Sequence, residues 1–230
     1  MNRPRHLTAV LFDLDGTLID TAVEFITVVR QIRERYGLPP LKDCQIRALV
    51  SEGATALVKL ALEINENHPN FYEHKQNFLN LYGQIAGSKC KPFQGILNTI
   101  KWLNGEQIKW GIATNKPRNF TDSLLKKISF NPAPQCVVCP EDIKNPKPSP
   151  EALLLSCKKL KCKPNESVYI GDHFRDIEAG RRAGMYTIVA NYGYIASTQN
   201  PKKWGANALA KNAMELKDLL VLAFPDLKRT

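Results

Sequence analysis

Residues 9–21, AVLFDLDGTLIDT, place two carboxylates, Asp13 and Asp15, one residue apart behind an apolar run, with Gly16 and Thr17 following at once. Acids this close repel each other unless positive charge lies between them. Further along, GIATNK ends in Thr114 and Asn115, NPKPSP sets Lys147 between two prolines, and IGDHFRD carries Asp172 with Asp176 four residues on. Acids, a lysine, a hydroxyl and an amide form a set suited to phosphoryl transfer. A phosphate monoester is a dianion that repels a carboxylate nucleophile, so a divalent cation has to bring the two together. Asp13 and Asp172 can give carboxylate oxygens, and Asp15 its backbone carbonyl, to Mg²⁺, which keeps waters and takes few carboxylates. Thr114, Asn115 and Lys147 are candidate binders of the phosphoryl oxygens. Gly16 allows a tight turn whose N–H faces the phosphate. One aspartate of the pair attacks phosphorus; the other gives a proton to the leaving alkoxide and later takes one from water. Taken alone, the DxD pair reads equally well as two solvated turn acids.

Such chemistry needs elements that gather distant segments. The AVLF run reads as a buried parallel strand, and strands are predicted at 7–13, 108–114, 135–139, 167–172 and 186–191. Helical patterns cover 95–104, 119–128, 149–160, 176–184 and 213–224, with Ser149 as an N-cap and Pro150 at the first helical position. This alternation predicts an α/β fold, a Rossmann-like parallel sheet covered on both faces. In such sheets ligands bind at the carboxyl ends of strands, near the reversal of strand order. Asp13, Asp15, Thr114, Asn115 and Asp172 all fall at strand ends, and Lys147 just ahead of a helix. Residues 20 to about 88 break the rhythm with helical periodicity alone. They read as an inserted helical subdomain, giving a core of 1–18 and 91–230 and an insertion of 19–90, with GLPP and KPFQG as turn signals.

The 230 residues, 43% hydrophobic and 23% charged, describe an ordinary globule. No run approaches the ~18 apolar residues a membrane span needs. The first residues carry two arginines but lead into the DLD stretch instead of a signal peptide, so a cytoplasmic protein without membrane contact is expected. There, disulfides among Cys44, Cys90, Cys136, Cys139, Cys157 and Cys162 are not expected. CVVC raises the idea of zinc, but Cys157 lies in an apolar helical stretch and the second pair is CxxxxC, which favours buried thiols. The net charge of +10 resides in residues 91–230, with 22 Lys/Arg against 12 Asp/Glu, whereas 19–90 hold eight of each. No zinc-finger spacing or aromatic RNA-binding motif accompanies it, so a solvated basic surface is preferred to a nucleic-acid site. The expected partner is a small phosphorylated metabolite, and the expected state a monomer or homodimer.

In order, DLDGT, Thr114, Lys147 in KPSPE, and GDHFRD resemble the four signatures of the haloacid dehalogenase superfamily, in its phosphoglycolate phosphatase-like branch. The resemblance implies that Asp13 is the nucleophile, Asp15 the acid/base, Thr114 and Lys147 phosphate binders, Asp172 a metal ligand, and Asp176 a support of the metal through water. It also implies that the helical insertion is a C1-type cap. GLPP, IRALVSEGA, WGIATNKP, CPEDIKNPKP and NYGYI…NPKKWGA are similar to the bacterial N-acetylmuramic acid 6-phosphate phosphatases, which recycle peptidoglycan sugars. His173 stands where many relatives have a small hydroxyl residue; it reads as a plain loop histidine or a change around the metal. Substrate choice is expected in the insertion. Arg47 is a candidate for a substrate carboxylate or else a surface arginine, and Ser51, Glu52 and Gly53 are a candidate closing loop. A dehalogenase would not need Asp15, and a phosphonatase lacks a clear Schiff-base lysine in the insertion. A β-phosphoglucomutase-like phosphotransferase shares all four motifs. A receiver-like signalling module would phosphorylate an aspartate after a later strand and carry no such insertion.

Overall fold

Residues 6–228 are described by the computed structural model; Arg3, Arg5 and the outermost ends of the expected core, 1–5 and 229–230, lie outside them. The first half of the chain runs β1 (Ala9–Phe12), β2 (Ile19–Asp20), α1 (Ala22–Arg35), α2 (Asp43–Arg47), α3 (Ala54–Leu62), α4 (Phe71–Ile85), β3 (Lys91–Pro92) and α5 (Ile96–Gly105). Next come β4 (Lys109–Ala113), α6 (Arg118–Lys127), β5 (Val137–Val138), α7 (Glu151–Leu160), β6 (Ser167–Gly171), α8 (Phe174–Ala183), β7 (Tyr186–Ala190), β8 (Ala208–Ala210) and α9 (Leu216–Ala223). Six strands form a parallel sheet in the order β5-β4-β1-β6-β7-β8, and β2 pairs antiparallel with β3. This is the expected α/β Rossmann-like architecture. The chain leaves β1 for β4 and β5 on one side, then crosses to β6 on the other, so β1, β4 and β6 end together where the order reverses.

Both sheet faces are buried, and β1 shows how. Val10 and Phe12 pack with Ile100 and Leu103 of α5, Trp110 and Ile112 of β4, and Leu216 and Leu220 of α9. Ala9 and Leu11 point the other way, toward Leu153 and Cys157 of α7 and Ala179 of α8. This period of two, apolar on both sides, makes β1 a central strand.

The five predicted strands are present, although β5 keeps only Val137–Val138 of its range. The three-residue edge strand β8 and the β2–β3 ladder were not predicted. Helix α7 starts at Glu151, one residue later than the capping signal indicates, yet Ser149 Oγ still accepts from Glu151 N at 3.4 Å. Helix α8 starts two residues before its pattern, at Phe174.

Helices α1 to α4 surround a separate apolar cluster containing Phe25, Val29, Leu57, Val58, Phe78 and Tyr82. Phe25 and Tyr82 stack at 4.2 Å between ring centroids. Buried Arg33 donates to the Leu60 and Ala61 carbonyls at 3.3 and 3.1 Å, placing a cation at the end of α3 as the helix dipole favours. Where the chain enters and leaves this block, buried Glu24 accepts from Gly87 N, Lys89 N and Cys90 N at 3.1, 2.9 and 3.3 Å. All six cysteines are free, and Cys90, Cys136, Cys139 and Cys157 are buried. No helix among the described residues is long and apolar enough to cross a membrane.

Candidate active site

Asp13 is the first residue beyond β1, and its N–H still donates to Ile170 O of β6 at 2.9 Å, which holds the strand exit rigid. Its carboxylate meets Lys147 Nζ at 2.9 Å, and the same ammonium lies 2.7 Å from Asp176 Oδ1. Lys147 also donates to Ala113 O at 3.1 Å and to Tyr169 Oη at 2.7 Å. Burial works to raise the pKa of Asp13, but the Lys147 charge and hydrogen bond outweigh it and leave the carboxyl lowered. Burial likewise acts to lower Lys147, and Asp13 with Asp176 reverses this and raises it. Asn115 fixes the lysine from behind: its Nδ2 donates to Lys147 O at 3.0 Å and its Oδ1 accepts from Lys147 N at 3.1 Å. The Asn115 amide is therefore occupied in positioning.

Asp172 follows β6. Its Oδ2 accepts from Tyr194 N at 2.8 Å and Ser51 Oγ at 3.0 Å, whereas its buried Oδ1 has no protein partner. Burial, then Asp176 and Asp13, pushes its pKa up to about 8. Oxygens of Asp13, Asp172 and Asp176 lie within 4.8 Å of one another. An all-oxygen cluster with an unpartnered buried carboxylate oxygen fits a hard divalent cation. Asp176 Oδ2 accepts from His173 N at 3.0 Å, so both its oxygens already have protein partners. His173 caps α8, its Nδ1 accepting from Arg175 N at 3.1 Å, and its Nε2 lies 3.0 Å from Glu52 Oε1.

Asp15 turns elsewhere. Lys116 Nζ is 3.1 Å from both its carboxylate oxygens, and Thr21 Oγ1 donates to Oδ1 at 2.6 Å. Lys116 also donates to Tyr82 Oη at 2.7 Å and lies 4.6 Å from the centroid of that ring. Burial alone would lower the Lys116 pKa; Asp15 and Tyr82 raise it. This lysine was not among the site residues expected from the sequence. Nothing within GIATNK itself marks it, and only the approach of α4 with Tyr82 reveals what Lys116 does.

Gly16 corrects an expectation. Its N–H donates to Ile19 O at 3.0 Å and is not free for a phosphate. The need for glycine is steric: with φ +76°, a Cβ would stand 2.2 Å from Asp172 Oδ2. Gly193 serves the same carboxylate, since a Cβ there would lie 2.3 Å from Asp172 Cβ. Thr114 is buried, its Oγ1 accepting from Lys116 N at 3.2 Å.

A cavity of about 550 Å³ opens over these groups, lined at its base by Asp13, Asp15, Thr114, Asn115 and Lys116. Ser51, Glu52, Gly53, Lys75, Gln76, Leu79 and Tyr82 line it from the helical block, and Phe120 and Arg175 from the sheet side. Arg175 donates to Ser51 O. Arg47 is not among the lining residues: its guanidinium pairs with Asp20 at 2.8 Å and covers the Tyr194 ring at 4.9 Å. That pairing corrects its expected place against a substrate carboxylate.

Known proteins share this arrangement's sequence and fold. A family model described as haloacid dehalogenase-like hydrolase matches residues 10–190. Over 226 residues the chain is 38% identical to the N-acetylmuramic acid 6-phosphate phosphatase of Pseudomonas aeruginosa, covering 98% of this chain and 100% of that one. It is 31% identical over 202 residues to the phosphoglycolate phosphatase of Xylella fastidiosa, with 88% of each chain covered. The crystal structure of a predicted phosphoglycolate phosphatase from Haemophilus somnus superposes with a TM-score of 0.81 at 19% identity, over 93% of this chain and 98% of that one. Identity that low speaks to the fold alone.

Proposed function

The chain belongs to the haloacid dehalogenase-like hydrolases and is an enzyme that hydrolyses phosphate monoesters; we propose that it does so through an aspartyl-phosphate on Asp13, with Mg²⁺ as cofactor. The observation that carries this reading is Asp13 held by Lys147 and clustered with Asp172, which keeps a buried unpartnered oxygen, with Asp15 lining the same cavity. Asp13, Asp172 and the Asp15 backbone carbonyl would hold the Mg²⁺, which when bound supplies positive charge against which a dianionic ester can approach. Asp176 supports the site from behind, in keeping with its two protein partners.

Asp13 Oδ attacks phosphorus, and the alkoxide leaves with a proton from Asp15. Asp15 then takes a proton from the water that hydrolyses the acyl phosphate. For this Asp15 has to loosen from Lys116, which holds both of its carboxylate oxygens at 3.1 Å. Thr114 donates its hydroxyl to a phosphoryl oxygen. Lys147 offsets the charge of Asp13 and exchanges one of its present contacts for the phosphoryl group as charge moves there.

Residues 19–90 act as the cap over this site, and the turn at 50–53 closes it against Asp172 and His173. We take the substrate to be N-acetylmuramic acid 6-phosphate, as for the Pseudomonas aeruginosa relative. A cavity of about 550 Å³ favours a sugar phosphate over the two-carbon phosphoglycolate. The six free thiols favour the cytoplasm as the compartment. The test is hydrolysis of p-nitrophenyl phosphate with and without chelator. Chelation should abolish turnover and Mg²⁺ restore it, and Asp13→Asn should cut kcat by several orders of magnitude. Full activity in that variant would remove Asp13 as nucleophile.

A further inference from the structure

One stripe of α4 forms the roof of the cavity: Lys75, Leu79 and Tyr82, at i, i+4 and i+7, share a face. The lower end of the stripe is anchored at the chemistry, because Tyr82 Oη is 2.7 Å from Lys116 Nζ and that ammonium is 3.1 Å from Asp15. At 1.5 Å of rise per residue, Lys75 stands about 10 Å further along the helix axis. Three cationic side chains line the cavity. Lys116 is held by Asp15 and Tyr82, and Arg175 by the Ser51 carbonyl. Lys75, half-buried, makes no hydrogen bond or ion pair among the described residues. Beside it Gln76 offers an amide, and Leu79 and Phe120 offer apolar surface.

We propose that Lys75 is a specificity-determining residue whose ammonium pairs with a carboxylate on the leaving group, roughly two helical turns from the transferring phosphoryl group. The inference rests on the phosphomonoesterase reading of the site. It selects by length. In phosphoglycolate the carboxylate lies only about 4–5 Å from phosphorus by bond lengths, too near to reach Lys75 while the phosphate is at Asp13. In a hexosamine phosphorylated on its primary carbon and carrying an acidic ether across the ring, the two anions stand roughly 8–10 Å apart. The class chosen is therefore a phosphorylated acidic amino sugar, with Gln76 available to its amide substituent.

The experiment compares kcat/KM for N-acetylmuramic acid 6-phosphate, N-acetylglucosamine 6-phosphate, phosphoglycolate and p-nitrophenyl phosphate in wild type, Lys75→Ala and Lys75→Arg. The wild type should prefer the carboxylated sugar to its carboxylate-free counterpart. Lys75→Ala should shrink that ratio by about 10- to 100-fold, the span of a charge-assisted hydrogen bond, chiefly through KM. Lys75→Arg should restore most of it. Equal losses on both sugar phosphates, or an unchanged ratio in Lys75→Ala, would overturn the assignment while leaving the phosphatase reading intact. A wild type inert toward all four esters with Mg²⁺ present would instead remove that reading and the assignment with it. Turnover of p-nitrophenyl phosphate by each variant reports that its core has folded.

Discussion

Asp172 is the residue most sensitive to what shares its site. One oxygen is tied to Ser51 and Tyr194, the other is buried without a protein donor, and burial with the neighbouring Asp176 and Asp13 pushes the pKa up to about 8. A carboxyl raised in the folded state contributes stability that is complete below the unfolded value of about 3.9 and is lost as pH rises through the folded one. Asp13, lowered, acts in the opposite sense: its contribution is present above that unfolded value and is lost as pH falls through its folded pKa. In chelator, the wild-type Tm should therefore fall between about pH 5 and 8, and Asp172→Asn should flatten that decline. Adding Mg²⁺ at pH 8 should raise the Tm of wild type and do little for the variant. An equal pH slope in both proteins would show that another group causes the decline. The acids themselves were legible in the sequence, since DLDGT and GDHFRD keep their ligands close along the chain. Lys116, Tyr82 and Tyr194 were not, because each acquires its role from a partner on a different element.

The elements divide by how much local pattern each one needs. Strands β1, β4, β6 and β7 are mainly apolar stretches of four or five residues, almost wholly buried, so the sequence signals them directly. β8 is three residues at the sheet edge, and β2 and β3 are two residues each, too short for any periodicity to register. Yet that short ladder sits where the helical block joins the sheet, and Glu24 reinforces the junction. Its carboxylate is wholly buried and is held by three backbone N–H groups of residues 87–90. Glu24→Ala would strand those donors, each worth about 1–3 kcal/mol when left unsatisfied. Denaturation in urea should show a loss of about 3 kcal/mol or more, and Glu24→Gln, which keeps an acceptor, a smaller one. Wild-type stability in Glu24→Ala would mean that water replaces the carboxylate there.

Across the whole molecule, charge is unevenly shared between the two parts of the chain. The candidate cation site is a buried acidic cluster, whereas the 91–230 part of the sequence carries the full excess of +10 and the helical block is neutral. A dianionic ester thus approaches a positive body and only at close range meets the acids that would hold Mg²⁺. A net charge of this sign is expected to concentrate anions around the protein, and Lys75 and Arg175 carry positive charge into the cavity itself. Such a field is screened beyond about 10 Å at 0.1 M salt. With Mg²⁺ saturating, raising ionic strength from about 0.02 to 0.3 M should lower kcat/KM for a sugar phosphate several-fold. Because kcat describes substrate already bound beneath the helical block, it should move little over the same range. Charge reversal of exposed core lysines away from the cavity, such as Lys158→Glu with Lys159→Glu, should weaken the salt dependence without changing kcat. A salt-independent kcat/KM in the wild type would show that the net charge does not act on the approach of substrate, and would confine electrostatic recognition to the cavity itself.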